Sequence, residues 1–302
     1  DSSGNIYMCG QTYNNTTNTF DGFVTKLDSS GAITWQRRVY TNNSDYLRQI
    51  FITSSGDVYT VGHTYGASIK DKAIIVKYNS SGVLQWQREI THSDNVIGSG
   101  VVVDSSGNVY MSCYSRDTSS GSYYNGHLFK YNSSGVLQWQ KKITYSAYTT
   151  ATPIQNYKLS IDSSDYLYLI APSISYITNY GSPTLIQKFD INGNEIFARN
   201  FNLDNISAGI SIQADIHTSS TNMYLRVYIG STIDAKLPTD GSKTGKYQVG
   251  VANITYVPVS TTVISGPLVD ATGSLTDTSG NLTSSTAGLT DSANDLTITI
   301  RD

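Results

Sequence analysis

The side chains able to do chemistry in this 302-residue chain are few and dispersed. His63, His92, His127 and His217 have no short spacing between them, and no HxxxH, HExxH or Cys–His grouping occurs, so no metal site is expected. Cys9 and Cys113 stand outside any CxxC, and two thiols make neither a disulfide framework nor a zinc site; they read as small buried hydrophobes. Glycoside hydrolysis needs two carboxyl groups at a cleft. The chain has only Glu89 and Glu195, most of its aspartates open turns, and Asp21, Asp71, Asp117 and Asp234 are the acids left over for catalysis. There is no GxSxG elbow and no phosphate loop, and the GSG at 98–100 precedes a strand rather than a helix, so it is not a dinucleotide fingerprint. No catalytic residue, cofactor or metal is expected.

Binding chemistry is better represented. Tyr13, Tyr65, Tyr114, Tyr123, Tyr124, Tyr145, Tyr148, Tyr176 and Tyr180 fall in irregular segments among Asn, Ser and Thr, as do Phe20 and Tyr46. Tyrosine among short polar residues supplies rigid contact area with adaptable hydrogen bonds, the composition of paratopes and of many sugar-binding surfaces. These nine tyrosines are the candidate partner- or glycan-binding residues.

What positions them is a repeat. One motif reads DSSGNIYMCG from Asp1, SSGDVYTVG from Ser54, DSSGNVYMSC from Asp104, DSSDYLYLIA from Asp162 and TSSTNMYLRV from Thr218. A second reads FVTKLDSSGAITWQRRV from Phe23, IIVKYNSSGVLQWQREI from Ile74, LFKYNSSGVLQWQKKI from Leu128 and LIQKFDINGNEIFARNF from Leu185. The first recurs at 52, 51, 58 and 56 residues and the Trp35, Trp86, Trp139, Phe197 series at 51, 53 and 58, so the two share one period. Each unit offers four short runs rich in β-branched and aromatic residues; in the third these are 97–103, 109–113, 128–131 and 136–143. A period near fifty residues with four strands per unit is the pattern of a β-propeller blade. The expectation is an all-β propeller of about five four-stranded blades, part of a larger ring or complete, over 1–258 (1–40, 46–90, 97–143, 156–201 and 209–258). In DSSG and NSSG an Asp or Asn side chain bonds the backbone two residues on and Gly supplies the positive φ, so Asp1, Asp28, Asn79, Asp104, Asn132, Asp162 and Asp190 are turn formers rather than calcium ligands. Lys26, Lys77, Lys130 and Lys188, and Tyr7, Tyr59, Tyr110, Tyr168 and Tyr224, each occupy one repeated slot and read as structural.

The DSSGNxYxxG…FVxKLDSSGxxxW pattern resembles the bacterial and phage β-propeller repeats of the SBBP type over residues 1 to about 201, and more loosely from 202 to 258. The resemblance implies a fold and a binding habit, in secreted or surface proteins of bacteria and in virion proteins of bacteriophages.

Asp1 opens in mid-repeat, without an innermost strand ahead of its turn, so a preceding segment or a returning C-terminal strand is expected to complete the first blade. Residues 259–302 form a separate Ser/Thr-rich arm in which Leu268, Leu275, Leu282, Leu289 and Leu296 fall seven apart. A coiled coil fails there, because Ala, Thr, Ser and Gly stand where apolar partners belong; an extended β-arm packing on a neighbouring subunit, or a linker, fits better.

With 14% charged residues and a net charge of −3, nothing argues for nucleic acid, and no apolar run is long enough for membrane insertion. Low charge, near-identical repeats and the hydroxyl-rich arm lead to the expectation of a non-enzymatic structural or adhesive protein of a phage virion (tail, fibre or capsid-associated). Its partners would be other virion or surface subunits, oligomeric through the arm, or a cell-surface glycan. A secreted bacterial surface protein binding glycan or protein comes second, and a polysaccharide-degrading enzyme third.

Overall fold

Alternation of apolar and polar residues in runs of four to ten, punctuated by Asx–Gly turns, leaves this chain one way to bury itself: as stacked antiparallel meanders. The computed structural model shows this. It describes residues 1–41, 43–66, 70–91, 95–117, 123–144, 157–172, 184–204, 213–228, 232–242, 245–249, 252–258, 262–265, 277–278 and 283–285. The first sheet contains β1 (Ile6–Asn14), β2 (Thr19–Leu27) and β3 (Ile33–Tyr40), and the second β4 (Ser44–Ile52), β5 (Val58–Tyr65), β6 (Lys72–Tyr78) and β7 (Leu84–Ile90). The third contains β8 (Val96–Val103), β9 (Val109–Asp117), β10 (Tyr123–Tyr131) and β11 (Leu137–Thr144), and the fourth β12 (Lys158–Ile161), β13 (Leu167–Pro172), β14 (Thr184–Phe189) and β15 (Glu195–Asp204). A three-stranded fifth sheet contains β16 (Gln213–Thr218), β17 (Asn222–Tyr228) and β18 (Thr232–Pro238).

The sheets pack face to face in chain order, which makes the architecture all-β and propeller-like. Each core is shared by two successive sheets. Val24, Trp35 and Val39 of the first meet Val58, Ile74 and Tyr78 of the second. Tyr59, Val61 and Ile75 then meet Val109, Met111 and Tyr131 of the third, and so on to Tyr168 and Phe201 against Met223 and Leu225 of the fifth.

Each joint is also latched by polar contacts. The Trp35 indole N–H donates to the Ser80 carbonyl at 3.1 Å and the Arg37 guanidinium donates to that of Gly82. One sheet on, Trp86 donates to Ser133 at 3.0 Å and Arg88 to Gly135 at 2.8 Å. At the fourth joint Arg199 donates to the Gly241 carbonyl at 3.3 and 3.2 Å, while the Phe197 ring, with no N–H to give, packs over the glycine. The turn glycine is required twice over. Gly82 has φ +74°, and a Cβ there would stand 2.6 Å from the Trp35 ring. The repeated lysines are structural: Lys130 Nζ donates to the Ile191 carbonyl at 3.3 Å and lies 5.3 Å from the Tyr110 ring, and Lys188 donates to Thr239 at 3.0 Å. The repeated tyrosines tie the same unit to its turn, Tyr110 donating to Asp104 at 2.9 Å and Tyr168 to Asp162 at 2.8 Å.

Two expectations are revised. The strands run further than their apolar runs: β9, expected to end at Cys113, reaches Asp117, and β10, expected to begin at Leu128, starts at Tyr123, because the antiparallel backbone ladder continues to the Tyr123–Asp117 pair. The fifth unit, expected over 209–258, does not keep its last segment. After a hairpin of β19 (Gly245–Val249) and β20 (Ala252–Pro258), β20 pairs with β15, sealing the long outer edge of the fourth sheet. Within this chain the arm adds short strands to the outer edges in reverse order: β21 (Thr262–Ser265) to β11, β22 (Asp277–Thr278) to β7 and β23 (Thr283–Ser285) to β3.

Candidate functional site

Where the first two sheets meet, at the end bearing the β1–β2 and β3–β4 connections, four rings form a row. Tyr13 and Phe20 are cross-strand partners with ring centroids 5.1 Å apart; Phe20 lies 5.5 Å from Tyr46, and Tyr46 stacks on His63 at 5.0 Å with planes 16° apart. Tyr46 and His63 are themselves partners across β4 and β5. Gly62 beside them is obligatory, because a Cβ there would stand 1.8 Å from the Tyr46 carbonyl oxygen. The row opens to solvent at Tyr13, 49% exposed, and closes at His63, 5% exposed. Tyr65, 50% exposed, follows two residues beyond His63.

A β-bulge supplies the fifth member. The β4–β5 register skips from Leu47 to Gln49, which turns Arg48 out of the ladder. Its Nε donates to His63 Nδ1 at 3.3 Å, and its backbone carbonyl accepts from Lys158 Nζ at 3.5 Å. An exposed guanidinium, an ammonium group and a row of aromatic faces thus converge on one end of the molecule. Burial, reinforced by the Arg48 charge, drives the His63 pKa down to about 3, so the ring is a neutral aromatic surface at ordinary pH.

The polar groups behind the row are buried and bonded. Asp45 accepts from Thr64 Oγ1 and from the Thr41 N–H, both at 2.6 Å; burial pushes its pKa up to about 6 against the pull of those bonds. Asp21 takes Arg38 Nε at 2.8 Å and Asn14 Nδ2 at 3.0 Å. Burial raises the Asp71 pKa. Buried carboxylates and a neutral imidazole gathered behind a partly exposed aromatic row mark this loop cluster as a site candidate. Among the described residues no three His, Cys, Asp or Glu are grouped to hold a metal ion.

Of the nine candidate tyrosines, the structure places Tyr13 in the row and Tyr65 near its closed end. Tyr114 is 4% exposed and packs against Tyr157 with centroids 6.4 Å apart, so it is a core residue and leaves the set. Tyr123 and Tyr124 lie on β10, opposite Asp117 and Arg116. Tyr145, Tyr148, Tyr176 and Tyr180 lie outside the described residues. His63 and Arg48 escaped the sequence reading because neither belongs to a motif. The signal was a departure from the repeat: at the slot of His63, the neighbouring units carry Gln11, Tyr114 and Pro172. A hollow lies elsewhere, on the open face of the fifth sheet between His217, Tyr224 and Lys236, and is lined by an Arg226–Asp234 pair so exposed that it contributes little.

No protein-family model matches the chain, and no curated protein matches it. Among solved structures it is similar to a polysaccharide lyase PL25 ulvan lyase bound to -[GlcA(1-4)Rha3S]-, at 9% identity and a TM-score of 0.40 over 86% of this chain and 77% of that one. A second structure of that lyase gives 10% identity, a TM-score of 0.39 and the same coverage. The expectation of a structural or adhesive phage virion protein is corrected: these two solved structures are of a polysaccharide lyase, and nothing found points to a virion part. At this distance the likeness carries no argument about chemistry, which has to be read from the residues above.

Proposed function

We propose that the protein is a glycan-binding β-propeller whose ring includes the five blades described above, acting outside the cell or at its surface, and that it binds without catalysis. The observation that carries this reading is the Tyr13–Phe20–Tyr46–His63 row ending at Arg48. The half-exposed Tyr13 ring, held edge-to-face against Phe20, offers a face that stacks on the apolar C–H face of a sugar ring, and the Arg48 cation at the other end fixes a hydroxyl, carboxylate or sulfate. Binding rather than turnover is favoured because the groups with shifted pKa values are inaccessible. His63 is 5% exposed with Nδ1 already accepting from Arg48, and Asp45 is 0% exposed. The nearby turns and latches hold the row on strands, so little ordering accompanies binding.

The test is calorimetric titration with oligosaccharides of increasing length, neutral and acidic, against the parent and Tyr13→Ala. Affinity that rises with length and falls at least about tenfold in the variant, with the Tm unchanged, supports the reading. Length-independent affinity, or equal binding by the variant, sinks it.

A further inference from the structure

Four joints in this molecule show what one blade requires of the blade before it, and the first sheet displays the same requirement unmet. Gly82, Gly135, Gly193 and Gly241 are covered by Trp35, Trp86, Trp139 and Phe197, whose ring atoms would lie 2.6, 2.7, 2.9 and 3.0 Å from an added Cβ. Gly31, in the equivalent turn of the first sheet, has nothing within 4 Å. Val58, Val109 and Leu167 are 0% exposed, whereas Ile6 at the same register position is 51% exposed. Ile33 is 54% exposed, whereas its counterparts Leu84 and Leu137 pack into inter-sheet cores. Thr25 and Leu27 stay buried in the floor between them. The inner edge of β1 is open as well. β5, β9, β13 and β17 each have an inner partner strand, and among the described residues β1 pairs only with β2.

We propose that this face of the first sheet is a docking surface for a further blade of the same repeat type, one whose outer strand presents an aromatic–x–Arg or aromatic–x–Lys pattern. The blade also brings the strand that follows it onto the inner edge of β1. The aromatic ring would cover Gly31 and the cation would take its carbonyl, as Trp35 and Arg37 do at Gly82. The surface continues an interface already built four times, and that fixes the chemistry of its occupant. A second copy of this chain is a poor fit, because its aromatic–x–cation strands are engaged at its own joints and, among the described residues, its fifth sheet has three strands.

Residues 44–103 contain both parts the proposal calls for, a blade and the inner strand after it, and they end immediately before a DSSG turn equivalent to the one at Asp1. The experiment joins a copy of 44–103 directly ahead of Asp1 and reads thiol labelling of Ile33→Cys by peptide mass spectrometry, which resolves it from Cys9. Slowing by about tenfold or more relative to the unfused chain is expected, and it should vanish when the copy carries Trp86→Ala and Arg88→Ala. A chimera whose Ile33→Cys stays as reactive as in the unfused chain, whether or not the added segment folds, overturns the proposal. So does equal protection by the copy lacking its Trp and Arg. An unfused chain that dimerises in sedimentation, with Ile33→Cys already protected, would replace the blade with a second copy.

Discussion

His63 at the closed end of the aromatic row and Asp45 behind it lie at adjacent register positions of the paired strands β4 and β5, and their titrations oppose each other. His63 is held neutral, its pKa falling from 6.5 to about 3, so its contribution to stability is complete above pH 6.5 and is lost as the pH falls. Between pH 7.5 and 5 that loss is about 2 kcal/mol, from 1.36 kcal/mol per unit applied to the unfolded ring becoming charged while the native ring does not. Asp45 goes the other way. Its pKa rises from 3.8 to about 6, so burial of the carboxylate costs stability above pH 6 and ceases to do so as the group protonates. The same acidification returns about 1.4 kcal/mol. The two nearly cancel in the parent, and single substitutions separate them. Relative to the parent, His63→Gln should gain about 2 kcal/mol on going from pH 7.5 to 5, and Asp45→Asn should lose about 1.4 kcal/mol. The assay is urea unfolding at the two pH values, comparing changes within each protein so that every other group cancels. A His63→Gln slope equal to the parent's would refute the reasoning, since it would mean that water reaches the imidazole and that the row has no closed end.

Other outcomes follow from the latches and the row. Gly31→Ala should cost about 1 to 2 kcal/mol for its positive φ alone, and Gly82→Ala distinctly more because Trp35 must also move; urea midpoints that match would contradict the empty space over Gly31. Trp35→Ala should destabilise by about 3 to 5 kcal/mol in the same assay, since the ring is 8% exposed and joins two sheets. Tyr110→Phe should cost about 1 kcal/mol, because Asp104 keeps its bonds from Ser106, Asn108 and the turn; an effect above 3 kcal/mol would mean the hydroxyl organises the turn.

The sheets were legible because each is encoded by its own unit. Asp104 predicts a turn, Tyr110 a slot against that turn and Trp139 an outer strand, all within forty residues, and the repeat says so several times over. The aromatic row was only half legible. Tyr13, Phe20 and Tyr46 stand out as aromatics in polar company, but their alignment with His63 comes from juxtaposing two units, and Arg48 points outward because of a bulge that no local pattern announces. Tyr114 misled for the opposite reason: it is in polar company in sequence, but strand pairing carries it inward against Tyr157. The arm's pairing was illegible, since backbone hydrogen bonds to an open edge ask little of side chains.

Every latch reaches forward along the chain. Trp35 and Arg37 are held by Ser80 and Gly82, and Trp86 and Arg88 by Ser133 and Gly135, each about one repeat later. During synthesis, therefore, a newly extruded blade has its strands but not its fastening until the ribosome has added some forty-five further residues. Each completed unit exposes an unclasped tryptophan edge for that interval, several seconds at about 5 to 20 residues per second. Folding of this chain is consequently directional, the N-terminal joint closing first, and slow codons placed one repeat after a tryptophan would lengthen its exposure.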